Sequence, residues 1–383
     1  MKLLHIADLH IGKRVNEFSM IEDQRHILSQ ILTIVRDEKA EAVLIAGDVY
    51  DKSQPSIEAV ELLDEFLTSL TEMGPAIYII SGNHDSPERL GFGSRILGKN
   101  RLFIAGAFTG SLQETLLEDA YGNVHVFLLP FIKPAVVSHY LDQSVETYDE
   151  AARMVLDTAK IDTSERNILL AHQFVTNGLE MPEHSDSENL SVGGLDNVDA
   201  SAFILFDYVA LGHLHRPQTL ANGLLRYAGS PLKYSFSEAR GKKSVTIVEL
   251  KEKGTREIRT VDLFPLHDVR EIKGPLAHLL QMGTEDVSGN QDYIHAILTD
   301  EEELYDAIGQ MRRIYPNLMA LDFDNSKTSQ TNGTTAICSD DIERKQPIEL
   351  FSDFYLQQNN EELSAEGLAV LKDVFAQAGG KEL

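Results

Sequence analysis

The 383-residue chain is ordinary in hydrophobicity, at 43% apolar residues, but strongly acidic, with a formal net charge of −26. Its length allows two or three domains with real cores, and with no run of about 18 apolar residues no membrane span is expected. So acidic a chain should repel a polyanion unless metals, a local basic patch or a partner supply positive charge, because affinity for nucleic acid rests on neutralised phosphates.

The single cysteine, Cys338, cannot close an internal disulfide and rules out thiolate metal clusters; a reducing, cytoplasmic setting is expected. The N-terminal run Met1-Lys2-Leu3-Leu4-His5-Ile6-Ala7 meets Asp8 too early for a secretory signal, and Leu3–Ala7 reads as a buried strand. Ile21 to Val35 carries Ile27, Leu28, Ile31, Leu32, Ile34 and Val35 at helical spacing. Ala42–Ala46 is a short apolar run, as in a strand covered on both faces. Pro55 is expected at the first position of the next helix, with Ile57, Val60, Leu63, Phe66 and Leu67 along it. Ala76–Ile80 is a third strand, so the chain opens with βαβαβ logic.

Further on, Asn123–Leu129, Asn167–Ala171 and Asp207–Leu211 are expected strands, Tyr148–Thr158 a helix and Glu180–Asp199 a loop. Leu224–Tyr227, Ser244–Leu250 and Glu257–Leu263 suggest an antiparallel region. A small α/β unit follows: strand Tyr293–Leu298, helix Asp300–Tyr315, strand Leu318–Phe323. Asn325 to Asp341 is rich in Ser, Thr, Asn and Gly, as in a flexible linker. The tail places Leu350, Phe351, Phe354, Tyr355, Leu363, Leu368, Leu371 and Phe375 on apolar stripes of two short helices. The expected boundaries are 1–268, 269–325, a linker at 326–347 and a tail at 348–383.

Asp8-Leu9-His10, Gly47-Asp48-Val49-Tyr50-Asp51, Gly82-Asn83-His84-Asp85, His172 and Gly212-His213-Leu214-His215 all begin at the carboxyl end of an expected apolar strand. In open α/β sheets that edge is where ligands bind. Any one of them alone is a common turn or a lone histidine; their joint occurrence, in order and each at a strand end, singles them out. If strand geometry persists, the two-residue spacing in Asp8-x-His10 and His213-x-His215 puts both side chains on one side. Carboxylate, carboxamide and imidazole without thiolate suit Mn²⁺, Fe²⁺ or Zn²⁺, with Mn²⁺ favoured. Asp8, His10, Asp48, Asn83, His172, His213 and His215 are too many ligands for one ion. They suit two ions sharing a carboxylate, about 3.5–4 Å apart, that clamp a phosphate and activate a water.

These motifs resemble the signature of the calcineurin-like metallophosphoesterases, and within them the bacterial DNA-repair nuclease subunits that work with a coiled-coil ATPase. Ile6-Ala7-Asp8-Leu9-His10-Ile11-Gly12-Lys13, the run Gly229 to Glu238, and Lys243-Ser244-Val245 carry the closer likeness. The resemblance implies a sandwich of two β-sheets flanked by helices, a small α/β capping domain and a helical tail that docks on the ATPase. It implies that Asp8, His10, Asp48 and His215 hold one ion and Asp48, Asn83, His172 and His213 the other. His84 would face the phosphate, kept protonated and oriented by Asp51. The activity implied is hydrolysis of DNA phosphodiesters, as exonuclease or endonuclease, in end processing, hairpin cleavage and repair, by a homodimer within a heterotetramer. Lys13, Arg14, Lys52 and Arg89 follow the metal-bearing loops and are candidates to meet a DNA backbone. A nucleotide or small-molecule phosphodiesterase is the alternative within the same chemistry, and a non-catalytic scaffold the alternative outside it.

Overall fold

Uninterrupted aliphatic runs make strands buried on both faces, and the amphipathic runs between them make the helices that cover those faces. The computed structural model describes residues 1–178, 181–188, 196–286 and 289–326, with a few positions between 351 and 374. The chain divides into two compact units, Met1–Arg270 and Glu271–Leu383. In chain order the main elements of the first are β1 Lys2–Ile6, α1 Ile21–Glu38, β2 Ala42–Ala46, α2 Ile57–Met73, β3 Ala76–Ile80, β4 Leu102–Ala105, β5 Gln113–Asp119, β6 Gly122–Leu129, α3 Pro134–Leu141, α4 Tyr148–Asp157, β7 Arg166–His172, β8 Tyr208–Gly212, β9 Gln218–Leu220, β10 Leu225–Tyr227, β11 Ser244–Leu250 and β12 Arg256–Asp262.

These strands form two six-stranded sheets, in the orders β12-β11-β1-β2-β3-β4 and β9-β10-β8-β7-β6-β5. In the first, β1 to β4 are parallel and β11 runs antiparallel to β1. In the second, β6, β7, β8 and β10 are parallel, with β5 and β9 antiparallel at the edges. The period-two alternation of a strand decides the layers. Val124, Val126 and Leu128 of β6 share a core with Leu3, Leu44 and Tyr78 of the first sheet. Phe127 and Leu129, facing the other way, join Ala151, Ala152 and Val155 of α4. Helices α1 and α2 contact each other and bury Ile27, Leu28, Ile31, Leu62, Leu63 and Phe66. Two sheets packed face to face, with helices outside, is the expected sandwich.

Several local expectations are corrected. Pro55 lies outside its helix: the Ser56 hydroxyl accepts the Ala59 N–H at 3.3 Å and makes Ser56 the N-cap. β10 pairs in parallel with β8 in the second sheet, so only β11 and β12 make an antiparallel pair with each other. β5, unforeseen, is a half-exposed edge strand whose charges break the apolar pattern. Within the expected loop Glu180–Asp199, Asn197–Asp199 pairs in parallel with Phe174–Thr176, while residues 179–180 and 189–195 lie outside the described residues.

The second unit contains β13 Val269–Gly274, α5 Leu276–Glu285, β14 Tyr293–Leu298, α6 Ala307–Ile314 and β15 Leu318–Phe323. Its sheet order is β13-β14-β15, and its core holds Ile272, Leu279, Ile294, Leu298, Met311 and Leu318. Helix α6 starts later than Asp300, because the Asp306 carboxylate caps it by accepting the Gly309 N–H at 3.2 Å. The linker beyond Ser326 and tail residues Leu350, Phe354, Leu363 and Phe375 lie outside the described residues. Of the others, Leu371 is buried and Phe351 is exposed.

One buried ion pair ties the two sheets together. The Arg166 guanidinium on β7 pairs with Asp119 of β5, and donates to the Gly122 carbonyl at 2.6 Å and the Lys251 carbonyl at 3.1 Å. Arg166 holds the Asp119 carboxyl well below the usual carboxylate range. A depressed carboxyl stabilises the fold above its unfolded pKa, and that stabilisation fades as pH falls toward the folded value. Asp119→Asn is therefore expected to cost about 3 kcal/mol at pH 7, with the gap narrowing below about pH 4. Urea unfolding at both pH values checks this; a gap that did not shrink in acid would contradict it.

Candidate metal centre

Loops from both sheets meet at one rim of the sandwich. Asp8 follows β1, Asp48 follows β2 and Asn83 follows β3 in the first sheet, while His172 ends β7 and His213 follows β8 in the second. The side-by-side placement expected of Asp8-x-His10 and His213-x-His215 is corrected in its cause, because neither pair keeps strand geometry. Asp8, His10, Asp48 and His213 have φ of 53°, 44°, 48° and 104°, in the left-handed region that costs non-glycine residues energy. Main-chain bonds hold these turns: Asp8 N–H donates to the Gly47 carbonyl at 3.1 Å and His10 N–H to the Asp48 carbonyl at 2.9 Å. The two sheets are joined where His213 N–H donates to the Asp8 carboxylate at 2.9 Å. Close approach explains the motif glycines: a Cβ on Gly47 would run into the His172 ring, and one on Gly212 into the Ala46 carbonyl.

The seven expected ligands converge. His10 Nε2 lies 3.1 Å from His215 Nε2 and 3.7 Å from Asp48 Oδ2. On the other side of Asp48, His172 Nε2 lies 3.4 Å from the same carboxylate oxygen. Asn83 Oδ1 is 3.1 Å from His172 Nε2 and 3.0 Å from His213 Nδ1. Ligand atoms of Asp8, His10 and His215 lie within 4.8 Å of one another, as do those of Asp8, Asp48 and His172. All seven are buried except Asn83. His172 Nδ1–H donates to the Ala46 carbonyl at 2.8 Å, which leaves its Nε2 to face the cluster.

The electrostatics fit divalent cations. Buried Asp8 Oδ2, His10 Nδ1 and His213 Nε2 have no hydrogen-bond partner, and such atoms are rare in native proteins without a ligand, ion or water. Burial pushes the Asp8 carboxyl up to about 7. Burial also opposes the Asp48 carboxylate, but His172, His10 and His84 hold it well below its usual range. Burial holds His213 down to about 3 and His10 well below its ordinary value. At His172 burial is outweighed by Asp48 and Asp8, which push the imidazole up to about 9. His172 and Asp48 thus form an ion pair that cation binding would replace, since a ligating imidazole is neutral.

His84 is half-buried, its ring edge-on to His10 with centroids 4.8 Å apart. The expected Asp51 contact is corrected in its atom. His84 Nδ1 lies 2.9 Å from the Asp51 main-chain carbonyl, whereas the Asp51 carboxylate accepts from Lys13 Nζ at 2.8 Å. Lys13 is accordingly committed to Asp51, and also lies over the Tyr234 ring at 5.5 Å. Arg14 donates to the Glu17 carbonyl, while Lys52 and Arg89 are exposed.

Supporting residues went unassigned in the sequence. Asp85 accepts N–H groups from Gly82 at 2.9 Å, Val49 at 3.1 Å and Tyr50 at 2.9 Å, and so locks the Asp48 loop to the Asn83 loop. Burial, with Asp48 adding, pushes its carboxyl up to about 6. Its place in Gly82-Asn83-His84-Asp85 was the available signal. Gln24 of α1 donates to the His10 carbonyl at 2.7 Å and accepts the Gly12 N–H at 2.9 Å; nothing local in the sequence marks it. Ser187 Oγ lies 2.7 Å from His215 Nδ1 and donates to Glu238 at 2.8 Å. Glu238 pairs with buried Lys243, whose Nζ also donates to the His215 carbonyl at 2.9 Å. That chain turns His215 Nε2 toward His10 and gives a physical reason for the run ending at Glu238 and for Lys243.

Comparison with known proteins agrees with this geometry. The profile of the calcineurin-like phosphoesterases matches residues 1–217, and that of the type 5 capsule protein repressor C-terminal domain, SbcD_C, matches residues 265–359. The chain belongs to the calcineurin-like phosphoesterases. More narrowly, it is 36% identical to the D subunit of nuclease SbcCD from Staphylococcus epidermidis, over 85% of this chain and 87% of that one. It is 34% identical to the corresponding SbcCD nuclease component of Staphylococcus saprophyticus, over 90% and 89%. A solved dimetal phosphatase from Danio rerio aligns with 70% of this chain and 98% of its own, at 14% identity and a TM-score of 0.39.

Asp85→Asn would set an amide donor against main-chain donors. It is expected to weaken Mn²⁺ affinity about tenfold although Asp85 is no ligand in this arrangement. Calorimetric titration with Mn²⁺ measures the effect, and unchanged affinity would contradict the locking role.

Proposed function

We propose that this chain is the nuclease subunit of an SbcCD-type assembly and hydrolyses DNA phosphodiesters with two divalent cations, Mn²⁺ being favoured. The observation that carries the reading is Asp48, whose carboxylate lies beside His10 on one side and His172 on the other. Asp8, His10, Asp48 and His215 would hold one cation; Asp48, Asn83, His172 and His213 the second. When bound, such a pair supplies a water acidified from 15.7 to roughly 7–9 and neutralises phosphate oxygens. The strained, hydrogen-bonded loops keep the ligands in place, so little reorganisation accompanies the reaction. His84, fixed by the Asp51 carbonyl, either donates a hydrogen bond to the phosphate or protonates the leaving oxygen. The relatives' name, nuclease, supports DNA end processing and hairpin cleavage, exo- or endonucleolytic, alongside an SbcC-type coiled-coil ATPase. In the assembly a homodimer of this chain would contribute to a heterotetramer. Metals and partner would supply the positive charge that a chain of net charge −26 lacks. Among the described residues no helix is long and apolar enough to cross a membrane.

Asp48→Ala is expected to empty both sites by elemental analysis. His84→Gln should keep both metals while lowering turnover by ~10²–10⁴-fold; loss of metal in His84→Gln would make His84 a ligand and overturn its role. A short DNA duplex should be cut with Mn²⁺, whereas cleavage of a chromogenic phosphodiester alone would point to a small-molecule phosphodiesterase. Removing residues 348–383 is expected to abolish co-purification with an SbcC-type partner and spare the chromogenic reaction; a complex that survived would refute the tail's role.

A further inference from the structure

Beside the centre lies a cleft of about 570 Å³, including its open mouth, walled on one side by Asn83 and His213 and on the other by Phe131, Tyr148, Gln173 and Phe174. Gln173 is 1% exposed, yet neither its Nε2 nor its Oε1 has a hydrogen-bond partner. Its backbone is not loose: the Tyr227 hydroxyl donates to the Gln173 carbonyl at 2.9 Å and accepts the Val175 N–H at 2.7 Å. A buried carboxamide left unpaired costs free energy, so the position makes sense when something polar enters the cleft. The rest of the wall is aromatic. The Phe131 ring lies 6.2 Å from Tyr148 and 6.3 Å from His172, and Phe174, itself buried, lies 6.3 Å from His213.

A flat, polar-edged ligand attached to the reacting phosphate matches these walls. A carboxamide offers a donor and an acceptor side by side, as the edge of a base requires, and aromatic faces hold unstacked bases without regard to sequence. We propose that this cleft is a nucleobase subsite, in which Gln173 meets the edge and Phe131 the face of the base next to the scissile phosphate. The proposal rests on the phosphodiesterase reading and deepens it: the reacting nucleotide is turned out of its stack, so unpaired ends and loops are the better substrates.

The test compares two 4-nitrophenolate-releasing esters with Mn²⁺, thymidine 5′-(4-nitrophenyl phosphate) and bis(4-nitrophenyl) phosphate. In Gln173→Leu, and independently in Phe131→Leu, the ratio of kcat/KM for the nucleoside ester over the base-free ester is expected to fall ~10–100-fold, mainly through KM. An unchanged ratio, whatever the absolute rates, would overturn the proposal, because a merely structural effect moves both esters together. A second arm needs no variant and no turnover. The metal-loaded natural protein should bind thymidine 5′-monophosphate at least about tenfold more tightly than deoxyribose 5-phosphate, and equal affinities would overturn the subsite. Failure to hydrolyse either ester would sink the phosphodiesterase reading, while this binding comparison still decides the cleft.

Discussion

Asp48 carries its carboxylate where water scarcely reaches, between imidazoles that belong to two different sheets. Burying that charge is unfavourable unless positive charge or donors surround it. The molecule arranges both. His84 N–H donates to Asp48 Oδ1 at 2.9 Å, while Oδ2 faces His10 and His172. Everything else at the rim serves that placement. The first sheet brings Asp8 and Asp48 on adjacent parallel strands, and the second brings His172 and His213 in the same way. Neither sheet alone assembles the cluster; it exists only because the sandwich packs them face to face.

Such a cluster tends to fly apart or relax, and the surrounding bonds are directed against that. Left-handed ligand residues are kept in place by paired main-chain bonds and by Gln24. Asp85 gathers otherwise stranded N–H groups of two loops into one carboxylate. The buried Glu238–Lys243 pair, a poor source of net stability in general, acts here by fixing Ser187 and the His215 main chain. Rigid walls also define the neighbouring cleft, where an unpaired amide and aromatic faces adjoin the same ligands.

The sequence was legible where burial is uniform. Apolar runs such as Ala42–Ala46 and Ala76–Ile80 announce strands covered on both faces, and the structure places them there. The ligands were legible because each follows such a run. Edge strands were not: Gln113–Asp119 mixes charged and apolar residues, since one side of an edge meets water. Geometry between neighbours was misread for a related reason. Alternation along a strand was extended past Ile6 and Gly212, where the chain has already turned left-handed. The Asp51 error has the same character, for a motif names a residue and not which of its oxygens is used. Ser187 and Gln24 were illegible because their partners are distant in sequence.

The most direct test of the central claim is an anomalous-scattering map from crystals grown with Mn²⁺. Two peaks about 3.5–4 Å apart, with an Asp48 oxygen between them and with His215 and His172 on opposite ions, are the expected result. A single peak, or two peaks of which one lies away from Asp48, would contradict the account.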